Sequence, residues 1–156
     1  MTVCLIDTSV FCEVLRVPHM DSDAAQIRQE LEAKLKARES LMLPMTSILE
    51  TGNHIGQNGN GALRRETALR FVEQVRSAIG GKSPFTATSF VERGKMLEWL
   101  DGFPDWTMRS DARGKGSGLG DLTIQREWLD LCEKFPGRRV YIWSKDGQLA
   151  GYDREP

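Results

Sequence analysis

Val3-Cys4-Leu5-Ile6-Asp7-Thr8-Ser9-Val10-Phe11 constrains the fold more than any other stretch of this chain. Apolar residues in unbroken succession run into an acid and two hydroxyls, and a helical pattern follows. A continuous apolar run predicts a strand buried on both faces, and such strands belong to parallel sheets covered by helices. In open α/β sheets the chemistry gathers where strand tips hand over to helices. Asp7 stands at such a tip.

The same handover recurs. Leu41-Met42-Leu43-Pro44-Met45 reads as a second strand, with Pro44 near its end, and Thr46-Ser47-Ile48-Leu49-Glu50 opens a helix that weakens at Gly56. Phe85-Thr86-Ala87-Thr88 is a weaker strand, and Val140-Tyr141-Ile142-Trp143 a buried one ending in Ser144-Lys145-Asp146-Gly147. Between them lie helical patterns. Val10 to Leu15 forms a short helix stopped before Pro18. A helix capped by Asp21 or Ser22 carries Ala24, Ile27, Leu31 and Leu35 on one face. A further helix is predicted to bury Leu69, Val72, Val75 and Ile79, and to stop at Gly80-Gly81. Ser89 with Glu92 spells a capping box for a helix reaching Leu100. Asp121 is predicted to cap a helix bearing Ile124, Trp128, Leu131 and Phe135. Gly102 to Gly120 shows no pattern and reads as a functional loop or a disordered one.

With 156 residues, no repeats and no linker, residues 1–156 are expected to form a single α/β domain. Lys and Arg number 21 against 22 Asp and Glu, so any nucleic-acid contact must use a local basic patch instead of an overall field. No apolar segment approaches a membrane span. Cys4, Cys12 and Cys132 form no CxxC pair and are read as reduced packing residues, which points to the cytoplasm.

Asp7, Glu50, Asp121 and Asp146 each fall at a strand-to-helix handover. In a parallel sheet these handovers share one edge, so the four carboxylates are expected to converge there. Clustered carboxylates repel, and a hard divalent cation, Mg²⁺ or Mn²⁺, is the natural compensator. Each acid also has a local alternative. Asp7 and Asp121 can cap helices, Ser47 and Glu50 spell a capping box, and Asp146-Gly147 can be a plain turn.

Leu5-Ile6-Asp7-Thr8-Ser9-Val10-Phe11, Pro44-Met45-Thr46-Ser47-Ile48-Leu49-Glu50, Gly120-Asp121-Leu122-Thr123-Ile124 and Trp143-Ser144-Lys145-Asp146-Gly147-Gln148-Leu149 resemble the successive motifs of PIN domains. These are metal-dependent ribonuclease domains, found in VapC-type bacterial toxins. The resemblance implies a three-layer α/β/α fold around a parallel sheet of four to five strands in the order 3-2-1-4-5. It implies Mg²⁺ or Mn²⁺ held by Asp7, Glu50, Asp121 and Asp146, with Ser9 and Ser144 holding the cluster or a water. It also implies RNA as substrate, an antitoxin protein as partner, and pairing into a homodimer. At Ser144 the family more often has threonine, and the Gly102–Gly120 loop is longer than most such toxins carry.

Such an acidic site needs cations beside it to accept RNA phosphates. Arg109, Arg113 and Lys115 lead into Asp121 and are the candidates, while Phe103 and Trp106 are expected to pin the loop to the body. Arg64, Arg65 and Arg70 read as a solvated helix face. Asn53 and His54 lie beside Glu50 on its helix, where Asn53 is a candidate supporting residue and His54 a packed or surface group. Gly81-Lys82-Ser83 lacks the first glycine of a phosphate loop and follows a helix, so it is set aside. A haloacid-dehalogenase-like phosphatase would require D-x-D where this chain has Asp7-Thr8-Ser9. A catalytically inactive PIN-like module that binds RNA or protein is the non-enzymatic alternative.

Overall fold

The computed structural model describes residues 1–156. Strands β1 (Val3–Ile6), β2 (Ser40–Leu43), β3 (Phe85–Ala87), β4 (Val140–Trp143) and β5 (Asp153–Arg154) form one sheet in the order β3-β2-β1-β4-β5. β1 is central, pairing in parallel with β2 on one side and β4 on the other. β3 adds to β2 in parallel. β5 is antiparallel to β4, so the sheet is mixed where a parallel one was expected. The reason is the short path into β5, which folds straight back along β4. Ion pairing of Arg139 with Asp153, and donation by Arg154 to the carbonyls of Phe135 and Arg138, hold this last strand in place.

Alternate residues of each strand face opposite layers. Cys4, Ile6, Leu41, Leu43, Phe85, Tyr141 and Trp143 enter one core, and Val3, Leu5, Val140 and Ile142 enter another. Over the first lie helices α1 (Thr8–Val14), α2 (Ala24–Lys36), α3 (Met45–Gly56) and α4 (Gly61–Ile79), which contribute Phe11, Ile27, Ile48 and Ala78 respectively. Over the second lie α6 (Phe103–Trp106), α7 (Leu119–Lys134) and α8 (Gly147–Ala150), through Trp106, Leu122, Ile124, Leu131 and Leu149. Helix α5 (Arg93–Asp101) packs outside, against α6 and α7. No helix is long and apolar enough to cross a membrane, and the three cysteines are free and buried.

Several expectations about helices need correction. Leu69, Val72 and Ile79 of α4 are 55%, 43% and 64% exposed. The inward stripe runs instead through Thr67, Ala68, Phe71, Val75 and Ala78. α4 has two adjacent apolar stripes, and its fit against α3 decides which turns inward: Phe71 reaches the space beside Gly52, where a Cβ would stand 3.6 Å from its ring. The Ser89–Glu92 capping box does not form, because α5 begins only after Glu92 and has no side-chain cap. Nor does Asp21 or Ser22 cap α2, which starts after Asp23. Gly102–Gly120 is ordered: α6 is followed by a hairpin closed by an antiparallel bridge between Ser110 and Gly116.

Candidate metal and nucleic-acid site

The register of the central strands aligns two of the acidic handovers. Ile6 pairs with Trp143, and the Asp7 amide continues the ladder by donating to the Trp143 carbonyl at 3.0 Å. Asp7 and Ser144 are therefore neighbours at the tips of β1 and β4. Asp7 follows the strand as the residue before α1, yet its carboxylate caps nothing. It is 4% exposed, and its Oδ2 accepts hydrogen bonds from the Ser9 hydroxyl at 2.8 Å and the Ser144 hydroxyl at 2.7 Å. Ser144 in turn accepts from the Asp146 amide at 2.9 Å, and Ser9 from the Lys145 amide at 3.0 Å. The two serines thus sew the strand tips together around one carboxylate. Asp7 Oδ1 is left without a protein donor.

Glu50 arrives from the other side, on α3. Its local alternative fails: Ser47 sends its hydroxyl to the Ile6 carbonyl at 2.9 Å, and Glu50 Oε2 accepts from Thr8 at 2.7 Å. α3 and α7 meet where the Thr46 and Thr123 hydroxyls stand 2.9 Å apart. Gly120 lets Glu50 lie against the start of α7, since a Cβ there would clash with Glu50 Oε1. Asp121 is not the helix cap that was expected. α7 starts at Leu119 after Gly118, which puts Asp121 inside the first turn with no hydrogen-bond donor to its carboxylate. Asp146 does cap α8, accepting from the Gln148 amide at 2.8 Å through Oδ1.

Glu50, Asp121 and Asp146 line one open cavity of about 300 Å³, together with Asp111, Lys115, Ser117 and Gln148. Asp7, which is buried, is not part of that lining. Burial pushes the Asp121 carboxyl up to about 6, and the negative charges of Asp7, Asp146 and Glu50 add to the rise, against a smaller opposing pull from Lys115. All four carboxylates therefore share one electrostatic field. They do not form a finished cage, because no three acidic, histidine or cysteine side chains stand at metal-holding spacing.

The donor chemistry nevertheless fits a hard cation. The donors are oxygen only, and every one of these carboxylates keeps an oxygen that no protein group donates to.

The cations divide. Lys115 lines the cavity. Arg113 is exposed at the hairpin tip, where its amide donates to Asp111 Oδ1 at 2.8 Å. Arg109 is not part of the cavity lining, and its guanidinium stands 4.3 Å from the Trp106 ring centre and is bonded to the Tyr152 hydroxyl. Trp106 is buried and donates to the Gly118 carbonyl at 3.1 Å, and Phe103 packs against the same core, so both pin the loop as expected. Asn53 is exposed and makes no side-chain hydrogen bond, so nothing ties it to Glu50. Arg70 does more than face solvent, since it donates to the Leu15 carbonyl at the end of α1. Thr8 and Gly120 escaped the sequence reading, although each adjoins a candidate acid. Lys145 escaped it too: it pairs with buried Glu13 at 2.5 Å and with Asp23 at 2.7 Å, fastening the Ser144–Asp146 turn to α1.

No protein-family model matches this chain, and no curated protein matches it.

Proposed function

We propose that this chain is a PIN-like, Mg²⁺- or Mn²⁺-dependent endoribonuclease. The observation that carries the reading is the one cavity of about 300 Å³ lined by Glu50, Asp121 and Asp146, where the charges of Asp7, Asp146 and Glu50 add to the burial that raises the Asp121 carboxyl. The likeness of the four acid-bearing stretches to PIN motifs supports it. Asp7, Glu50, Asp121 and Asp146 would hold the cation, and Ser9 and Ser144 would fix the Asp7 carboxylate. A divalent cation in such a site supplies Lewis acidity toward a phosphoryl oxygen and acidifies water. Thr8 aims Glu50 by donating to its Oε2, leaving Oε1 to orient the attacking water. Lys115 receives a backbone phosphate at the mouth of the cavity.

In this reading the chain works in the cytoplasm as the toxin of a toxin–antitoxin pair, and copies of it pair as a homodimer. Exposed Leu49, Phe90 and Leu97, at 55%, 65% and 67%, offer apolar surface for such protein partners. A second reading, a module that binds RNA without cutting it, is favoured by the lack of a finished cation cage. The open D-x-D requirement leaves no comparable support for a phosphatase.

The test is RNA cleavage with Mg²⁺ or Mn²⁺ by the native chain and by Asp7→Asn. Activity should fall by more than about 100-fold, beyond what loss of an outer supporting group costs. Equal cleavage by both proteins discards the assignment. RNA binding without cleavage by the native chain selects the binding module.

A further inference from the structure

We propose that Arg109 is a positioning residue whose contact with Trp106 and Tyr152 holds the Ser110–Gly116 hairpin against the segment following Asp146, and so keeps Lys115 at the acidic cavity. The proposal rests on the reading of that cavity as an RNA phosphate site, and it assigns Arg109 a part other than touching RNA.

The hairpin has little else beneath it. Met108, Arg109, Ser110, Arg113 and Lys115 are all exposed, so no apolar core fixes their course. Internally the turn is braced by Asp111, whose Oδ1 accepts from the amides of Arg113 and Lys115 at 2.8 and 2.9 Å. That bracing shapes the tip and leaves its placement open. Placement comes from the base of the hairpin. The Arg109 guanidinium lies 4.3 Å from the Trp106 ring centre and 5.9 Å from that of Tyr152, and it donates to the Tyr152 hydroxyl.

Both aromatic partners are themselves fixed. Trp106 is buried, and Tyr152 rests on Trp128 at 5.2 Å between ring centres. Tyr152 ends the turn after α8, the helix that Asp146 caps. Opposite, Ser117 donates to the Gln148 side chain, while the Gln148 amide holds Asp146 Oδ1. The wall carrying Lys115 is thereby fastened twice to the wall carrying Asp146. A cation already spread over two rings and bonded to a hydroxyl is not free to meet a phosphate.

Positioning and direct contact make different predictions. The experiment measures binding of a fluorescent single-stranded RNA by anisotropy in EDTA, where cleavage is off, with thermal melting as a check on folding. Lys115→Ala should weaken binding and lower the salt slope by about one. Arg109→Ala should weaken it about fivefold, in keeping with loss of an exposed cation–π contact. Arg109→Lys should fail to restore it, because the planar stack is lost although the charge remains. Tyr152→Leu, which removes no charge and keeps apolar packing on Trp128, should reproduce the loss. In the Lys115→Ala background, Arg109→Ala should add nothing.

Additive effects of Arg109→Ala and Lys115→Ala, rescue by Arg109→Lys, or native binding by Tyr152→Leu would each overturn the proposal. If Lys115→Ala itself binds like the native chain, the cavity is not a phosphate site and both readings fall. If Lys115→Ala weakens binding while Arg109→Ala does not, only the positioning role is lost.

Discussion

Two walls of the acidic site, one around Asp7 and one lining the cavity through Lys115, are built by different means. The Asp7 wall is made of strand ends: β1 and β4 are fully buried, their ladder runs on through the Asp7 amide, and two serine hydroxyls close over the carboxylate. The Lys115 wall is a surface hairpin held by one bridge, an aspartate turn and contacts at its base. Asp7 thus stands among buried strand ends, and Lys115 on an exposed hairpin. In the proposed reading a cation would demand closer placement of its ligands than a phosphate backbone demands of a lysine, which needs only to be held near the cavity. The difference between the walls matches that difference in demand.

Truncation of one side chain on each wall tests this most sharply. Ser144→Ala removes a donor from a buried carboxylate and the acceptor for the Asp146 amide. It should destabilise the metal-free chain by about 1–3 kcal/mol and cut RNA cleavage by about 10–100-fold. Lys115→Ala should move stability by less than about 0.5 kcal/mol. Urea unfolding of the two variants checks the contrast. Equal losses would mean that the walls are equally built into the fold.

Gly120→Ala should give a smaller effect of a different kind. The new Cβ clashes with Glu50 Oε1, and a carboxylate at the end of a flexible side chain swings away cheaply. Folding stability should hold or rise by up to about 1 kcal/mol, as alanine replaces glycine in the first turn of a helix. Cation affinity and cleavage should fall about tenfold, because Glu50 leaves both Thr8 and the cavity. Calorimetric titration with Mn²⁺ separates the two quantities. A stability loss without any change in cation binding would remove Glu50 from the site.

The two walls also differ in how far they could be read from residues alone. The buried strands were legible because an unbroken apolar run such as Val3–Ile6 has few other uses, and the acids after it inherit their place from the sheet. Order 3-2-1-4-5 appeared as the PIN resemblance implied, apart from the antiparallel turn of β5. Caps read far less well. Ser47 and Glu50 have the spacing of a capping box, yet Ile6 and Thr8, distant in sequence, take their hydrogen bonds. Nothing near Arg109 in sequence announces its contact with Tyr152. On α4, two apolar stripes competed and only packing against α3 could choose. Where long-range partners outbid local ones, spacing misleads.

The smallest effect concerns Asp121, which belongs to neither wall: it sits on α7 and feels the charges of both Asp7 and Lys115. Its carboxyl, ordinarily at 3.8, is held up to about 6, first by burial and then by Asp7, Asp146 and Glu50. The folded chain therefore binds this proton more tightly than the unfolded chain. Linkage then makes its contribution full below about pH 4 and lost as pH rises to about 6, so stability falls across that window. Asp121→Asn should flatten the fall and leave the metal-free chain about 1 kcal/mol more stable at pH 7, less than the full displacement implies because the side chain is part-exposed. Lys115→Ala should steepen it, since Lys115 is the cation that opposes the rise. Melting the native chain and both variants between pH 4 and 7 reads the three slopes. Parallel curves for native and Asp121→Asn would show that neither burial nor the neighbouring acids raise this carboxyl, and would break the link between the strand-end wall and α7.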